Sequence, residues 1–224
     1  MYIEYEPVAA FGLRPSNTTS NGGKSLICPT PYAIKMALLD RIIRLRGLGT
    51  AQAIFPSLRD LPIFVEAPLA VSVNRTFQKV LRGYDAKVRQ WTSTITQREF
   101  VFYAGQFRLA IPIDGDDIAN LLLEGFVAIN YFGRRGSFFQ MTNFILSDEN
   151  PASLPTFVNA SQQSIGNTLG FLQRMDDMET GASFDDVSVF NPKANGARRS
   201  YTVAFPYMLD HHGVNHTIYR RISS

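Results

Sequence analysis

Residues 117–146 read DIANLLLEGFVAINYFGRRGSFFQMTNFIL, and three kinds of signal follow one another along them. Ile118, Leu121, Leu122 and Val127 fall at helical spacing in DIANLLLEGFVAI, which predicts an amphipathic helix with those four side chains facing inward. Asp114-Gly115 marks a turn before it, and Asp116 is suited to cap it. SFFQMTNFIL, residues 137–146, reads as a strand. Between helix and strand lies YFGRRG, in which Arg134 and Arg135 stand between Gly133 and Gly136. Glycines let a main chain come close to an anion, and guanidinium forks match phosphate geometry. The plainer reading of GRRG is a helix C-cap glycine followed by a solvated turn.

Upstream of this stretch the chain supplies the rest of a small α+β sheet. YIEYEPVAAF, residues 2–11, is strand-like and ends at Gly12. The polar, turn-forming residues 15–25 (PSNTTSNGGKS) predict a loop, with Lys24 available to a phosphate. Thr30 and Pro31 then form a helix start signal. Ile34, Leu38, Ile42 and Leu45 recur opposite Lys35, Arg41 and Arg44, so the helix is expected to run to about Arg46, with Gly47 near its end. PIFVEAPLAVSV (62–73) and REFVFYAGQFRLAIPI (98–113) read as strands. The resulting order, strand, helix, strand, strand, helix, strand, is the βαββαβ pattern of a ferredoxin-like (RRM-like) fold. Residues 74–98 interrupt its second and third strands. Residues 147–224 read as a β-rich, irregular C-terminal extension of the same domain, with strand candidates DVSVF (186–190), RSYTVAF (199–205) and TIYRRI (217–222).

The insertion is also where the charge gathers. Residues 1–113 carry 14 Lys and Arg against 7 Asp and Glu, whereas residues 114–224 carry 8 against 12, so a modest total of +3 conceals one basic and one acidic part. Within 74–98, Arg75, Lys79, Arg82, Lys87, Arg89 and Arg98 are opposed by Asp85 alone. Such a field suits a polyanion, and the interleaved Phe77, Tyr84 and Trp91 can stack on bases. A solvated charged surface is the alternative reading. With 45% hydrophobic residues the chain can bury a core, and a single cysteine, Cys28, excludes an internal disulfide and a cysteine-based zinc site. The absence of any run of about 18 apolar residues argues against a membrane span, and a cytoplasmic location is expected.

Two motifs invite chemistry and fail on their surroundings. Gly-Lys-Ser at 23–25 would end a P-loop, but Thr18 stands where its first glycine belongs, and Pro29 and Pro31 separate it from the helix. HHGVNH brings together His211, His212 and His216, yet Gly213 and Asn215 oppose the helix that would aim two of them at a metal. An exposed turn between C-terminal strands is expected there, although a histidine could serve as general base on an RNA 2′-hydroxyl. GxSxG, HExxH and CxxC are absent.

The polar loop, the helix launched from Pro29-Thr30-Pro31-Tyr32 and the basic glycine turn together resemble the RAMP superfamily of CRISPR-associated proteins. Within it the chain is most similar to the Cas-five family of type I Cascade complexes. Phe11-Gly12-Leu13-Arg14 and Tyr131-Phe132-Gly133-Arg134-Arg135-Gly136-Ser137 carry the rest of the likeness, which covers about residues 1–146. The resemblance implies a noncatalytic subunit that caps one end of a crRNA-guided surveillance complex and holds the 5′ handle of the crRNA. It places a thumb-like hairpin at residues 74–98, and it implies the Cascade backbone subunit and large subunit as partners. Target DNA and, in transposon-associated Cascades, transposition proteins come within reach of such a subunit. Arg14, Gly133, Gly136 and Ser137 thereby join Lys24, Arg75, Lys79, Arg82, Lys87, Arg89, Trp91, Arg98, Arg134 and Arg135 as expected RNA contacts. Some relatives cut precursor crRNA with a Tyr, Lys and His set, so a metal-independent endoribonuclease is the alternative. No such set aligns here, and neither catalytic residue, metal nor cofactor is expected.

Overall fold

The computed structural model describes residues 1–18, 23–66, 68–113, 115–164 and 170–222, with residue 116 in its backbone only. Strand β1 (Tyr2–Pro7) leads through an extended segment to helix α1 (Pro31–Arg46). Thr30 caps α1 by accepting the Ala33 amide at 3.2 Å, and Pro31 follows at a position where no amide is needed. Gly47 ends the helix, and a second helix, α2 (Leu48–Asp60), begins at once. Strands β2 (Phe64–Glu66), β3 (Ala70–Asp85), β4 (Gln90–Ala104) and β5 (Phe107–Ala110) precede α3 (Asp116–Ala128) and β6 (Phe139–Ile145). A 3-10 turn at Pro151–Ser153 then introduces β7 (Val158–Asn159), β8 (Phe171–Met178), a single turn of helix α4 (Phe184–Val187), β9 (Arg198–Phe205), β10 (Tyr207–His212) and β11 (His216–Arg221).

Strand order in the main sheet is β6-β1-β5-β2-β7, antiparallel at every step. The four strands that correspond to βαββαβ thus lie in the order fourth, first, third, second, which is the ferredoxin-like arrangement. The fold class is α+β, as the sequence pattern indicates. Ile3, Tyr5, Val65, Phe107 and Leu109 turn one face of the sheet to the helices and are fully buried there. Removing such apolar side chains from water stabilises the layer by about 1.5–3 kcal/mol each. Close packing of α1 on α3 depends on Gly125: a Cβ at that position would stand 2.4 Å from Leu38 Cδ1.

Several local expectations are corrected by this packing. Residues 48–60, assigned to no element by the sequence pattern, form α2, which buries Ala51, Ile54, Phe55 and Leu58 in spite of Pro56. In α3 the inward face is Leu122, Gly125 and Phe126, while Ile118 and Val127 are exposed, because the helix approaches α1 through its glycine. Gly115 occupies the cap position before Asp116, and Asp114 lies outside the described residues. Leu45 is exposed at the end of α1, and Lys35, expected in solvent, is buried against Asp177 at 2.7 Å. The strand expected at 62–73 is two strands, β2 and the start of β3, and the one at 98–113 is divided by Gly105, whose φ of 106° turns the chain from β4 into β5. DVSVF is no strand: Ser183 and Asp186 form a capping box that starts α4, and Val189 and Phe190 lie exposed after it.

The insertion is longer than its charge suggested. β3 and β4 pair from Ala70↔Ala104 to Asp85↔Gln90, and β10 and β11 pair alongside the base of β3 to make a second sheet, β10-β11-β3-β4. Val71, Val101 and Tyr103 anchor the hairpin base in the core. Beyond Asn74 it projects by roughly 35 Å, at about 3.3 Å per residue. β8 and β9 form a separate ladder, and Met175, Met178, Val203 and Phe205 from it join the same hydrophobic cluster as Ile34, Leu38 and Phe107.

Candidate nucleic-acid interface

α3 ends at Ile129 with ordinary backbone angles, so neither glycine of GRRG caps it. Gly133 (φ 65°) and Gly136 (φ 100°) instead make a tight turn in which the Ser137 amide donates to Arg134 O at 3.1 Å. Phe132 fixes one end of this turn by packing edge-on against Tyr5 and Phe139. Ser137 fixes the other: its hydroxyl donates to Gly12 O at 3.0 Å. Arg134 and Arg135 are thus exposed on an anchored backbone, and their side chains form no hydrogen bond or ion pair among the described residues.

Opposite the turn stands the base of the hairpin. Phe11 bridges Val101, with amide-to-carbonyl bonds of 2.9 and 2.7 Å in the two directions, and the Glu99 amide donates to Gly23 O at 2.7 Å. These bonds seat the segments on either side of the polar loop along the free edge of β4. Residues 19–22 of that loop lie outside the described residues. The result is a cleft of about 190 Å³ lined by Arg14, Lys24, Arg98, Arg134 and Arg135, together with Gly12, Gly136 and Ser137. Gln78, Glu99 and Phe100 also line it; sequence reasoning had not singled out these three. Five cations around one small cleft, with one carboxylate among them, suit a phosphodiester strand.

A second groove, about 920 Å³, opens on the other side of the turn between α1 and residues 187–198. Arg14 and Arg134 line both. The Arg198 guanidinium lies 4.0 Å from the centre of the Tyr32 ring, and Arg41 donates to Asn130 Oδ1 at 3.0 Å. Gly133 lines this groove and not the cleft.

The remaining expected contacts are spread along the hairpin. Arg75 stands 3.4 Å from Glu99. Lys79, Arg82, Lys87, Arg89 and Trp91 lie farther out and do not line the cleft. By strand alternation Arg75, Phe77, Lys79 and Leu81 share one face with Ile95, Gln97 and Glu99 opposite, whereas Gln78 and Arg98 belong to the other face. Phe77 is 72% exposed and Trp91 67%, and Trp91 meets the Tyr84 ring edge-on at 5.9 Å near the tip. HHGVNH forms the turn of the β10–β11 hairpin, where His211 and His216 stack at 5.2 Å; no group of three potential metal ligands occurs among the described residues.

Fold and site together define an α+β chain: a ferredoxin-like sheet, a basic hairpin inserted in it, and a cationic cleft between that hairpin and an arginine-bearing glycine turn. In sequence the chain is 23% identical over 189 residues, 82% of each of the two chains, to the CRISPR-associated protein Cas5 of Archaeoglobus fulgidus. The resemblance to the Cas-five family drawn from its motifs therefore has a relative that bears the name. No protein-family model matches the chain. Among solved structures it is similar to a CRISPR protein from Archaeoglobus fulgidus (TM-score 0.43, 11% identity, 99% of this chain and 91% of that one). It is also similar to a chain of the type III-B Cmr-beta complex bound to cognate target RNA (0.46, 14%, 99% and 86%) and to one of a CRISPR RNA-guided surveillance complex (0.45, 13%, 90% and 86%). No helix among the described residues is long and apolar enough to cross a membrane.

Proposed function

We propose that the protein is a noncatalytic RNA-binding subunit of a CRISPR effector complex, and that it holds the 5′ handle of the guide RNA in the cleft between the glycine turn and the hairpin base. One observation carries this reading. Arg14, Lys24, Arg98, Arg134 and Arg135 come from four separate stretches of chain and meet around one cleft of about 190 Å³. Evenly scattered surface charge does not converge in this way. The exposed hairpin, with apolar and cationic side chains on one face, supports a second role in contacting the backbone and large subunits of the complex.

The test is binding of labelled repeat-derived RNA across a salt series. Five phosphate contacts on a single strand give a slope of about −3.5 in log affinity against log salt, or roughly a 100-fold loss between 50 and 200 mM. Replacing Arg134 and Arg135 together by alanine should reduce that slope by about 1.4 and weaken binding without lowering the melting temperature. Salt-independent binding by the wild type would remove the proposal, and a large loss of thermal stability in the double variant would make the pair structural. Incubated without divalent metal, the RNA should remain intact; a single specific cut would point to the endoribonuclease instead.

A further inference from the structure

Glu99 is out of place on charge alone. It is the one carboxylate lining a cleft walled by five cations, where it repels any phosphate that enters. Its bonds explain its presence. The Glu99 amide donates to Gly23 O at 2.7 Å, and its Oε2 accepts the Ser25 amide at 3.0 Å, so the residues on both sides of Lys24 are tied to β4 through this one residue. Ser25 extends the tie, since its Oγ accepts the Leu13 amide at 2.9 Å, next to Arg14. Gly23 permits the approach: a Cβ there would stand 1.8 Å from Gln97 O. Arg75, 3.4 Å from Oε1, balances the carboxylate's charge from the opposite strand.

We infer that Glu99 is a positioning residue, which holds Lys24, and through Ser25 the Leu13–Arg14 backbone, at the wall of the cleft so that their cations meet RNA phosphates. Its purpose rests on the RNA-binding reading, while its geometry does not. Two substitutions separate positioning from charge. Glu99→Asp keeps the charge but withdraws the carboxylate from the Ser25 amide; Glu99→Gln removes the charge and keeps an acceptor within reach. Positioning requires Glu99→Asp to bind repeat RNA several-fold more weakly, with the salt slope reduced by about 0.7 for one lost phosphate contact. Glu99→Gln should bind at least as tightly as the wild type. In a Lys24→Ala background, Glu99→Asp should add a smaller loss than it causes in the wild type, because of the two cations it positions only Arg14 remains.

Amide hydrogen exchange at Ser25, measured by NMR on the full chain without RNA, reads the tie directly. It should accelerate in Glu99→Asp and remain slow in Glu99→Gln. Wild-type affinity and an undisturbed Ser25 amide in Glu99→Asp would overturn the inference. If the wild type bound no RNA while Glu99→Asp still freed the Ser25 amide, the clamp would stand and the RNA reading would fall.

Discussion

Asp177 is fully buried and holds three partners at once. Oδ1 accepts from Lys35 Nζ at 2.7 Å and from the Met178 amide at 2.8 Å, while Arg199 reaches Oδ2 at 3.3 Å. Lys35 also donates to Arg59 O at 2.8 Å, so one buried ammonium joins α1, α2 and β8. Burial lowers the Lys35 pKa from its ordinary 10.5, and the neighbouring Asp177 charge offsets part of that shift. Breaking such a pair from one side strands a charge, so Asp177→Ala should cost about 3–5 kcal/mol in denaturant unfolding. Lys35→Met should cost clearly less, because Asp177 keeps Arg199 and the Met178 amide. The pH dependence carries a sign. With the folded pKa of Lys35 below 10.5, the unfolded chain binds more protons over the interval between the two values, and stability there rises with pH. Asp177→Ala, which removes the offsetting charge, should widen that interval and steepen the rise; a flat or falling profile would show that Lys35 had moved into solvent.

The elements differ in how far they depend on distant partners, and this decides which of them the sequence disclosed. Thr30-Pro31 announced α1 correctly because capping involves only neighbours in the chain. The glycines of GRRG announced a turn for the same reason. α2 was obscured by Pro56 and Gly49, although Ala51, Ile54, Phe55 and Leu58 stood at helical spacing and were a usable signal. The inward face of α3 was misjudged because Gly125 reads as a gap until α1 is packed against it. The site was half legible: its cations were named, but that Arg98 joins Arg14, Lys24 and Arg134 while Lys79, Arg82, Lys87 and Arg89 do not follows from a β4 edge contact no local pattern encodes. For the hairpin the consequence is measurable. Trp91 is the chain's only tryptophan, so its emission in the free protein should be that of a water-exposed ring and fully open to acrylamide. Trp91→Ala should leave stability within about 0.5 kcal/mol of the wild type. A blue-shifted, quencher-resistant signal would mean that the hairpin folds back on the body.

At the scale of the molecule, the question is whether the last third of the chain is an appendage or part of the framework. Gln173 on β8 is buried, and it accepts the Ile27 amide at 2.7 Å and donates to Cys28 O at 3.3 Å, thereby holding the segment that launches α1. The Tyr207 hydroxyl bonds to Pro68 O beside the start of β3, and β11 pairs with β3 from Ala70 to Asn74. Arg221 reaches Glu66 at 2.9 Å, which with Arg108 on the same carboxylate compensates a buried charge on β2. Each tie runs from the last third into residues 1–146, so a chain ending at residue 146 would expose the helix-side core and leave Glu66 without one of its two cations. We therefore expect residues 1–146 alone to lack a cooperative melt. Cys28 supplies the readout, because burial pushes its thiol up to about 12, which leaves almost no thiolate near neutrality. At about pH 8 the thiol should resist a disulfide reagent in the full chain and react promptly in the truncated one. Gln173→Ala should lie between the two, since it frees residues 27–28 while the β8–β9 ladder stays in place. A truncated chain that melted cooperatively at the full-length temperature with Cys28 still protected would show the last third to be dispensable, and the ties from Gln173, Tyr207 and Arg221 would then be contacts between separately stable units.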